Sequence, residues 1–454
     1  LNSTTMDSLY SHDYASVTLS YGAIVNDEFS VSGFSVVSIR DNCTVGDPYR
    51  RPPPKGLYVY DSAQVSIFYG MYSYSPQTRQ TFGYIHSINA MGFADVSLVS
   101  SYVNSMVVSN NVTVKASYCQ YPLTRIVSVD AKDFANLSII SSDVKSLILR
   151  DRASASVSDS GADDISAVGH SRVVVSQALL ETGNYRASDD SQMVISSLTV
   201  RPLKAVPFVE GSGRSFVEIS NSTLTYSVLR FRENSVASIV NVNATSSRCY
   251  FEGHSNISVS SSILSEMVQI VDYSSVCVSS SKLSSVTVED FSSASLSSSN
   301  VTLLHVLEFS NTTLSGCVVD DIWIEALNVN ASFSGLRKHG MQSISMNYSL
   351  GGFAPSLNLV GTETTGGLDL TFYGVSSVFV ADSSIRSLML ADSSTARLEN
   401  CTVSEAYCSG QARVYVWTRL RVRAVDFFGN FLRGTNVTVT YANGTVVGPR
   451  VVDD

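Results

Sequence analysis

A short pattern of alternating apolar and small polar residues returns along most of the chain every 18 to 20 residues, and this period constrains the fold most strongly. The last apolar residue of each copy is its anchor. The anchors are Ile139, Val157, Val175, Ile195, Ile219, Ile239, Val259, Val278, Leu296, Leu314, Phe333, Val380 and Leu398. A second small or apolar residue lies two positions before each anchor, so both side chains point to one face of a strand.

Each copy also carries a second apolar set, which falls five, eight and ten residues after the anchor, as in Leu283, Val286 and Val288. Two short strands that return at a fixed period predict one turn of a parallel β-solenoid, because stacked turns share one core. Serine follows most anchors and is expected at the corners, where its hydroxyl can bond a neighbouring turn. The predicted fold class is all-β: a parallel β-helix or solenoid with coils of 18–20 residues, plus a partial C-terminal β-sandwich.

The serine content by itself would suit a flexible linker, since 81 of the 454 residues are Ser and 28 are Thr. However, 44% of the chain is hydrophobic and its mean hydropathy is +0.14, which disordered chains do not show. The net charge of −9 and the lack of a basic run argue against a nucleic-acid partner. No apolar run reaches about 18 residues, so no membrane span is expected in this chain.

Three regions follow from the regularity of the pattern. Residues 1–120 are expected to form an irregular N-terminal β region or cap, with weak coils at Leu19, Ile67, Leu98 and Val114. Residues 121–411 form the solenoid, with an irregular insertion at about 335–375 in which Leu359 is a possible anchor. Residues 412–454 contain alternating strands and an Asn-Gly hairpin signal, which predict an incomplete β-sandwich.

Glycosylation sequons, Asn-x-Ser/Thr, are dense enough to predict export, although a serine-rich composition alone produces some of them. The predicted glycosylation sites are Asn2, Asn42, Asn111, Asn136, Asn221, Asn243, Asn256, Asn300, Asn311, Asn330, Asn347, Asn400, Asn436 and Asn443. The seven cysteines show no metal-binding spacing. Their odd number leaves at least one thiol free or paired between molecules.

The repeat resembles the parallel β-helix coils of secreted surface proteins and of enzymes that act on polysaccharides, over residues 130 to 335. The string "DFFGN", which is followed by alternating Val and Thr, resembles the Ig-like or carboxypeptidase-regulatory-like modules of archaeal and bacterial surface proteins. The first resemblance implies the architecture, and the second implies an extracellular location.

Carboxylates are the main candidates for chemistry. Asp163 and Asp164 lie one coil from Glu181, and Asp320 is followed by Asp321. Such pairs can serve acid–base chemistry or bind Ca²⁺, but Asp is also a common turn residue, and turns are the preferred interpretation. An acidic stripe, Asp272, Asp290 and Glu308, is interpreted as a solvated corner.

His170 and His254 share a column four coils apart, so they cannot act together. The column continues as His254, Tyr273, Phe291 and Phe309, which predicts a stacked aromatic ladder. No catalytic, cofactor-binding or metal site is assigned, and no cofactor is expected.

The function expected is that of a secreted, glycosylated structural protein, a self-assembling subunit of a surface layer (S-layer), sheath or filament, with an archaeon as the expected host. Its partners would be copies of itself and N-linked glycans, with an assembly interface at Trp417, Arg419, Arg421 and Arg423. The alternatives are a carbohydrate-active β-helix enzyme (a polysaccharide lyase or hydrolase), for which Asp163, Asp164 and Glu181 are the best candidates, or a glycan-binding adhesin.

Overall fold

A computed structural model describes residues 4–21, 23–40, 43–46, 56–68, 73–75, 80–82, 84–119, 125–180, 183–200, 206–325, 330–334, 337–338, 342–347, 356–361, 363–364, 368–417, 436–440 and 446–451. Within these ranges the chain is built from strands, with no helix. It therefore offers no helix that would be long and apolar enough to cross a membrane. The all-β prediction is confirmed.

Two long parallel ladders run along the solenoid, and most turns contribute one rung to each. In the described part of the chain, the first ladder has 27 strands. These strands are Thr5–Ser11, Ile24–Val31, Thr44–Val45, Gly56–Val59, Tyr84–Ala90, Tyr102–Val108, Ile126–Ala131, Asp143–Leu149, Gly161–Ala167, Leu179–Leu180, Asn184–Ala187, Thr199–Val200, Phe208–Gly211, Thr223–Thr225, Val228–Phe231, Asn243–Thr245, Arg248–Phe251, Ile263–Ile270, Lys282–Val288, Asn300–Leu307, Val318–Glu325, Arg337–Lys338, Gln342–Asn347, Glu363–Thr364, Leu368–Phe372, Ser384–Leu390 and Thr402–Cys408.

The second ladder contains the anchors and has 20 strands in the same described ranges. These strands are Ser16–Leu19, Val36–Ile39, Gln64–Phe68, Asp95–Val99, Thr113–Ser117, Asn136–Ile140, Ser154–Ser158, Arg172–Ser176, Gln192–Ser196, Phe216–Ser220, Val236–Val240, Asn256–Ser260, Ser275–Ser279, Ser293–Ser297, Asn311–Ser315, Asn330–Ser334, Ser356–Val360, Ser377–Ala381, Thr395–Glu399 and Arg413–Trp417. Each strand pairs in parallel with the next, which confirms the predicted solenoid.

The anchors pair with one another in register. Ile139 pairs with Val157, and Val157 with Val175, and the series continues through Phe333, Leu359 and Val380. Leu359 is thus an anchor, whereas Val114 is not, because Ala116 is the residue opposite Leu98. The anchors and the residues two positions before them are buried and form one continuous core with the second apolar set.

The ladders run through regions in which the sequence pattern is weak. The first strands, Thr5–Ser11 and Ser16–Leu19, pair with the following turn in parallel, and Arg413–Trp417 is the last rung of the second ladder. Extra residues between rungs lengthen some turns, as between Ile39 and Ile67, which still face each other in the ladder. The extra residues here lie between Thr44–Val45 and Gly56–Val59 of the first ladder, and such an insertion hides the period from the sequence without interrupting the stack.

The serine corner joins each second-ladder strand to the first-ladder strand that follows, as Ser280 and Ser281 do after Ser275–Ser279. The buried serine here lies three residues after the anchor, not directly after it as the sequence analysis expected. The Ser262 hydroxyl accepts the Val242 N–H at 3.1 Å and donates to the Ser260 carbonyl at 2.7 Å. The same pair of bonds recurs at Ser142, Ser222, Ser281 and Ser299, so these hydroxyls bridge neighbouring turns.

The acid corner joins each first-ladder strand to the second-ladder strand of the same turn, as residues 271–274 do. A residue in the left-handed region occupies it, for example Asp133 with φ 61°. Asp and Asn tolerate this conformation better than most residues do. The buried residue of the corner, four positions before the anchor, is Ala63, Ala94, Ala135 or Ala153 early in the chain, and Ser171, Ser191, Ser215, Ser235 or Ser255 later. These five serine hydroxyls have no hydrogen-bond partner in the described structure.

Two short antiparallel pairs lie outside the ladders. Ser73–Ser75 pairs with Gln80–Phe82, and Asn436–Thr440 pairs with Val446–Val451. The second pair contains the hairpin that the Asn-Gly signal predicts. Its assignment to an Ig-like module stays a prediction, because most of residues 418–454 lie outside the described residues.

Candidate glycosylation and assembly surfaces

Eight of the sequon asparagines have described side chains, and all eight are exposed. They are Asn111, Asn136, Asn221, Asn243, Asn256, Asn300, Asn311 and Asn400. The backbones of Asn330, Asn347 and Asn436 lie in strands, but the structure does not describe their side chains. Asn2, Asn42 and Asn443 lie wholly outside the described residues. Glycan attachment requires an exposed asparagine side chain, and these eight positions meet that requirement. The attachment itself stays a prediction.

The exposed asparagines occupy outward positions for a reason that lies in the backbone. Asn136, Asn256 and Asn311 are the first residues of second-ladder strands, where alternate side chains point to solvent. Asn221 and Asn400 take left-handed conformations at the serine corner, with φ 50° and 51°. Asn221 accepts a hydrogen bond from the Asn241 side chain at 2.7 Å through its Oδ1 atom, so that bond does not involve the Nδ2 atom, to which a glycan would be attached.

The predicted aromatic ladder is present at the acid corner. Ring centroids are 5.3 Å apart between His254 and Tyr273, 5.1 Å between Tyr273 and Phe291, and 4.6 Å between Phe291 and Phe309. The rings stack on one another, so their faces stabilise neighbouring turns.

The same outward column holds other side-chain pairs earlier in the chain. Tyr14 stacks on Phe34 with centroids 5.3 Å apart. His170 lies 3.8 Å from Asp190, which also pairs with Arg214 at 2.8 Å. His170 thus belongs to a local ion-pair group and, as predicted, not to a site with His254.

Of the candidate carboxylates, Asp164 bonds the backbone of a neighbouring turn. Asp164 accepts the N–H of Asn184 at 2.9 Å, while Glu181 lies outside the described residues. Asp320 and Asp321 are both exposed on an outward stretch of the first ladder. Among the described residues, no group of three His, Cys, Asp or Glu side chains is placed to hold a metal ion.

Acidic residues in the acid corner have a recurring structural role. The carboxylate of one turn accepts a backbone N–H from the turn before it: Asp61 from Gly33 at 3.2 Å, Glu233 from Gly213 at 2.7 Å and Asp392 from Gly374 at 3.0 Å. Further along, a hydrogen bond with Asp290 raises the pKa of Glu308, and burial and the charges of Asp290 and Glu289 act in the same direction. Asp61, Glu233 and Asp392 therefore bond neighbouring turns, whereas in the acidic stripe Glu308 and Asp290 carry like charges on adjacent turns.

Ion pairs on the outer face of the first ladder were not anticipated from the sequence. Glu210 contacts Arg186 at 3.5 Å and also Arg232, and Arg230 pairs with Glu252 at 3.0 Å. The sequence does carry a signal for these ion pairs, because residues of opposite charge are spaced by about one turn. The glutamates of these pairs are partly buried between charged neighbours of adjacent turns, so the pairs favour the observed register more than they indicate a site.

None of the seven cysteines forms a disulfide in the described structure. Cys119, Cys317 and Cys401 occupy the buried serine-corner column, and the Cys317 thiol donates to the Leu296 carbonyl at 3.3 Å. Burial raises the pKa of the Cys119 and Cys317 thiols, and raises that of Cys249 to about 12. These three thiols are therefore unreactive and fill space as serine or apolar residues do.

The last described turn, Thr402–Cys408 and Arg413–Trp417, exposes part of its core face. Val416 stands in the anchor column, yet 62% of it is exposed, and Trp417 is 57% exposed. Arg397 lies over the Trp417 ring at 5.2 Å and over the Phe379 ring at 5.6 Å. Of the predicted assembly residues, Trp417 thus lies in the last described strand of the second ladder, while Arg419, Arg421 and Arg423 lie outside the described residues.

No protein-family model matches the chain, and no curated protein matches it in sequence.

Proposed function

We propose that the chain is a secreted, glycosylated structural protein that assembles with copies of itself into a surface layer, sheath or filament. The observation that carries this proposal is the continuous second ladder, from Ser16–Leu19 to Arg413–Trp417, beside which all eight described sequon side chains are exposed. A long stack of turns with exposed attachment points suits a building unit, because it offers extended faces and two ends.

The side-chain chemistry supports the same conclusion. Asp61, Glu233 and Asp392 bond backbone amides of adjacent turns, and the aromatic rings of the acid corner cover one another. These groups stabilise the stack, whereas an enzyme of the alternative class requires carboxylates that converge on a bound sugar.

Electron microscopy and peptide mass spectrometry of native material test the proposal directly. We expect polymers or a lattice that contain the chain, and hexose-bearing peptides that cover several of the exposed sequons. A monomeric protein inside the cell, unmodified at all eight positions, would overturn it. An archaeal host is proposed only on the resemblance of the C-terminal string to surface modules.

The enzyme alternative makes the opposite prediction, and one assay distinguishes it from the structural proposal. The chain would cleave an acidic polysaccharide, and Asp164→Asn would abolish turnover, with Asp320→Asn as the matched control on another turn. Under the structural proposal neither protein has turnover. Tight binding of a glycan by a chain that never polymerises would instead favour the adhesin.

A further inference from the structure

The outer face of the second ladder carries a depression of about 280 Å³. It lies across three consecutive rungs, Gln64–Phe68, Asp95–Val99 and Thr113–Ser117. Its polar lining residues are Gln64, Ser66, Asp95, Ser97, Thr113 and Lys115. Pockets that take drug-sized molecules have volumes of roughly 300–1,000 Å³, so this depression suits a single small ring.

The pairing of the three strands arranges these six side chains as a grid. One row along the solenoid axis is formed by Gln64, Asp95 and Thr113. The other row, two residues further along each strand, is formed by Ser66, Ser97 and Lys115. Successive turns are about 4.8 Å apart and alternate residues of a strand about 7 Å apart, so the grid covers roughly 10 Å by 7 Å.

The floor of the grid belongs to the rigid part of the solenoid. Val65 and Val96, which lie between the two rows, are buried in the core and pair with each other across the ladder. Ser66 and Ser97 have short side chains, whereas the Gln, Asp and Lys side chains of the grid are longer. The longer side chains therefore border a floor of two hydroxyls that the sheet holds in place.

The side chains of the grid have no partners of their own. Within the described part of the chain, none of the six takes part in a side-chain hydrogen bond or an ion pair. Asp95 and Lys115 carry opposite charges on adjacent turns, but they are not paired with each other. Elsewhere on this face neighbouring side chains do bond, as Ser154 does by donating to Asn136 at 3.1 Å. The grid therefore keeps its donors and acceptors available to a ligand.

The chemistry of the grid matches a polyhydroxylated ligand. The Asp95 carboxylate accepts hydrogen bonds, the Lys115 ammonium donates them, and the hydroxyls and the Gln64 amide do both. A sugar ring carries hydroxyls that donate and accept around its rim, so it can engage both rows at once. The charges of Asp95 and Lys115 balance, which favours an uncharged sugar over a uronic acid or a sugar with a free amine.

From the depression, the register and the unpartnered side chains, we propose that the grid binds one uncharged sugar unit of a glycan. Asp95 accepts from the sugar hydroxyls, Lys115 donates to a sugar oxygen, and Ser97 lies beneath the ring. The inference goes beyond the proposed function, because it adds a receptor site to a building unit. Two sources share this ligand chemistry, the glycans of another copy and a foreign polysaccharide.

Ligand-observed NMR on the purified chain tests the site with two probes. One is the set of neutral glycans released from the native protein, and the other is a panel of neutral hexose oligosaccharides. We expect a Kd of about a millimolar, the range for a ligand as small as one sugar unit. Binding of the released glycans supports a contact between copies, and binding of the panel alone supports an external receptor. A wild type that binds neither probe would overturn the inference.

Asp95→Asn keeps the size of the main acceptor and removes its charge. We expect the Kd to rise by about tenfold or more, as is typical for loss of a charged hydrogen-bond partner. Asp320→Asn makes the same change on the first ladder and should leave the Kd unchanged. Lys115→Met removes the charged donor and should weaken binding similarly, with Lys282→Met on the first ladder as its control.

Ser97→Leu tests the place of the ligand without changing any charge. The larger side chain fills the floor, so binding should be lost, whereas the Tm should stay the same because the position faces outward. Ser156→Leu, three turns later in the same column, is the matched control and should bind as the wild type does. Equal binding by Ser97→Leu and the wild type would show that the ligand lies elsewhere.

The outcomes separate this inference from the proposed function. Normal polymers of a chain that binds neither probe would overturn the sugar site and leave the proposed function intact. A chain that never polymerises, but binds a probe through the grid, would overturn the proposed function and support the sugar site. Binding that is indifferent to Asp95→Asn, Lys115→Met and Ser97→Leu would overturn the assignment of the grid.

Discussion

Both corners of each turn form hydrogen bonds to neighbouring turns, but the serine corner forms them with buried groups and the acid corner with exposed groups. The serine corner bonds neighbouring turns from the inside, through buried hydroxyls such as Ser262 and Ser281. The acid corner bonds them from the outside, through exposed carboxylates such as Asp61 and Glu233, while several of its buried serines, such as Ser235, have no hydrogen-bond partner among the described residues. A buried hydrogen bond is costly to remove and an exposed one is not, so the corners should differ in their sensitivity to substitution.

The largest effect is expected for Ser262→Ala. The buried Val242 N–H loses its acceptor, so the free energy of unfolding should fall by about 1–3 kcal/mol. Chemical denaturation would measure the loss, and hydrogen exchange at Val242 would localise it. Unchanged stability together with unchanged protection of that amide would contradict the assigned role of the serine corner.

A smaller loss is expected for Ser262→Cys, because the chain itself places Cys119, Cys317 and Cys401 in this column. Sulfur is a weak acceptor, so the variant should fall between the wild type and Ser262→Ala in stability. The same denaturation experiment ranks the three proteins. A thiol variant less stable than the alanine variant would show that size, and not hydrogen bonding, governs the position.

Ser235→Ala is the matched change at the acid corner, and its expected effect is close to zero. The Ser235 hydroxyl is buried without a partner, so its removal should change stability by less than about 0.5 kcal/mol or raise it slightly. Alanine already occupies the column at Ala94 and Ala135. A loss of stability as large as that caused by Ser262→Ala would contradict the proposed difference between the two corners.

A small effect that depends on pH is expected at the acid corner. Because the folded state raises the pKa of Glu308, the folded state binds that proton more tightly, and stability falls as pH rises from the ordinary glutamate pKa through the raised one. Glu308→Gln should therefore raise the Tm slightly at pH 7 and not at about pH 4. A gain of equal size at both values would point to packing and not to proton binding.

The period of the sequence was sufficient to predict the solenoid, its anchors and the aromatic ladder. It failed where turns carry insertions, as between Ile39 and Ile67, because the chain keeps register through backbone pairing that spacing does not reveal. It also could not tell which serines bridge turns: Ser279 and Ser281 are alike in sequence, but only the second points inward at the bend.

The insertions have a geometric consequence for anything built from this chain. Turns differ in residue number, but each adds the same rise of about 4.8 Å, so 20 rungs span roughly 90 Å whatever the loops contain. Axial length is therefore set by the number of turns alone. A duplication or deletion of coils would change the repeat distance of an assembly in fixed steps of one turn. Extra residues within a turn would widen the cross-section of the solenoid and leave its length unchanged.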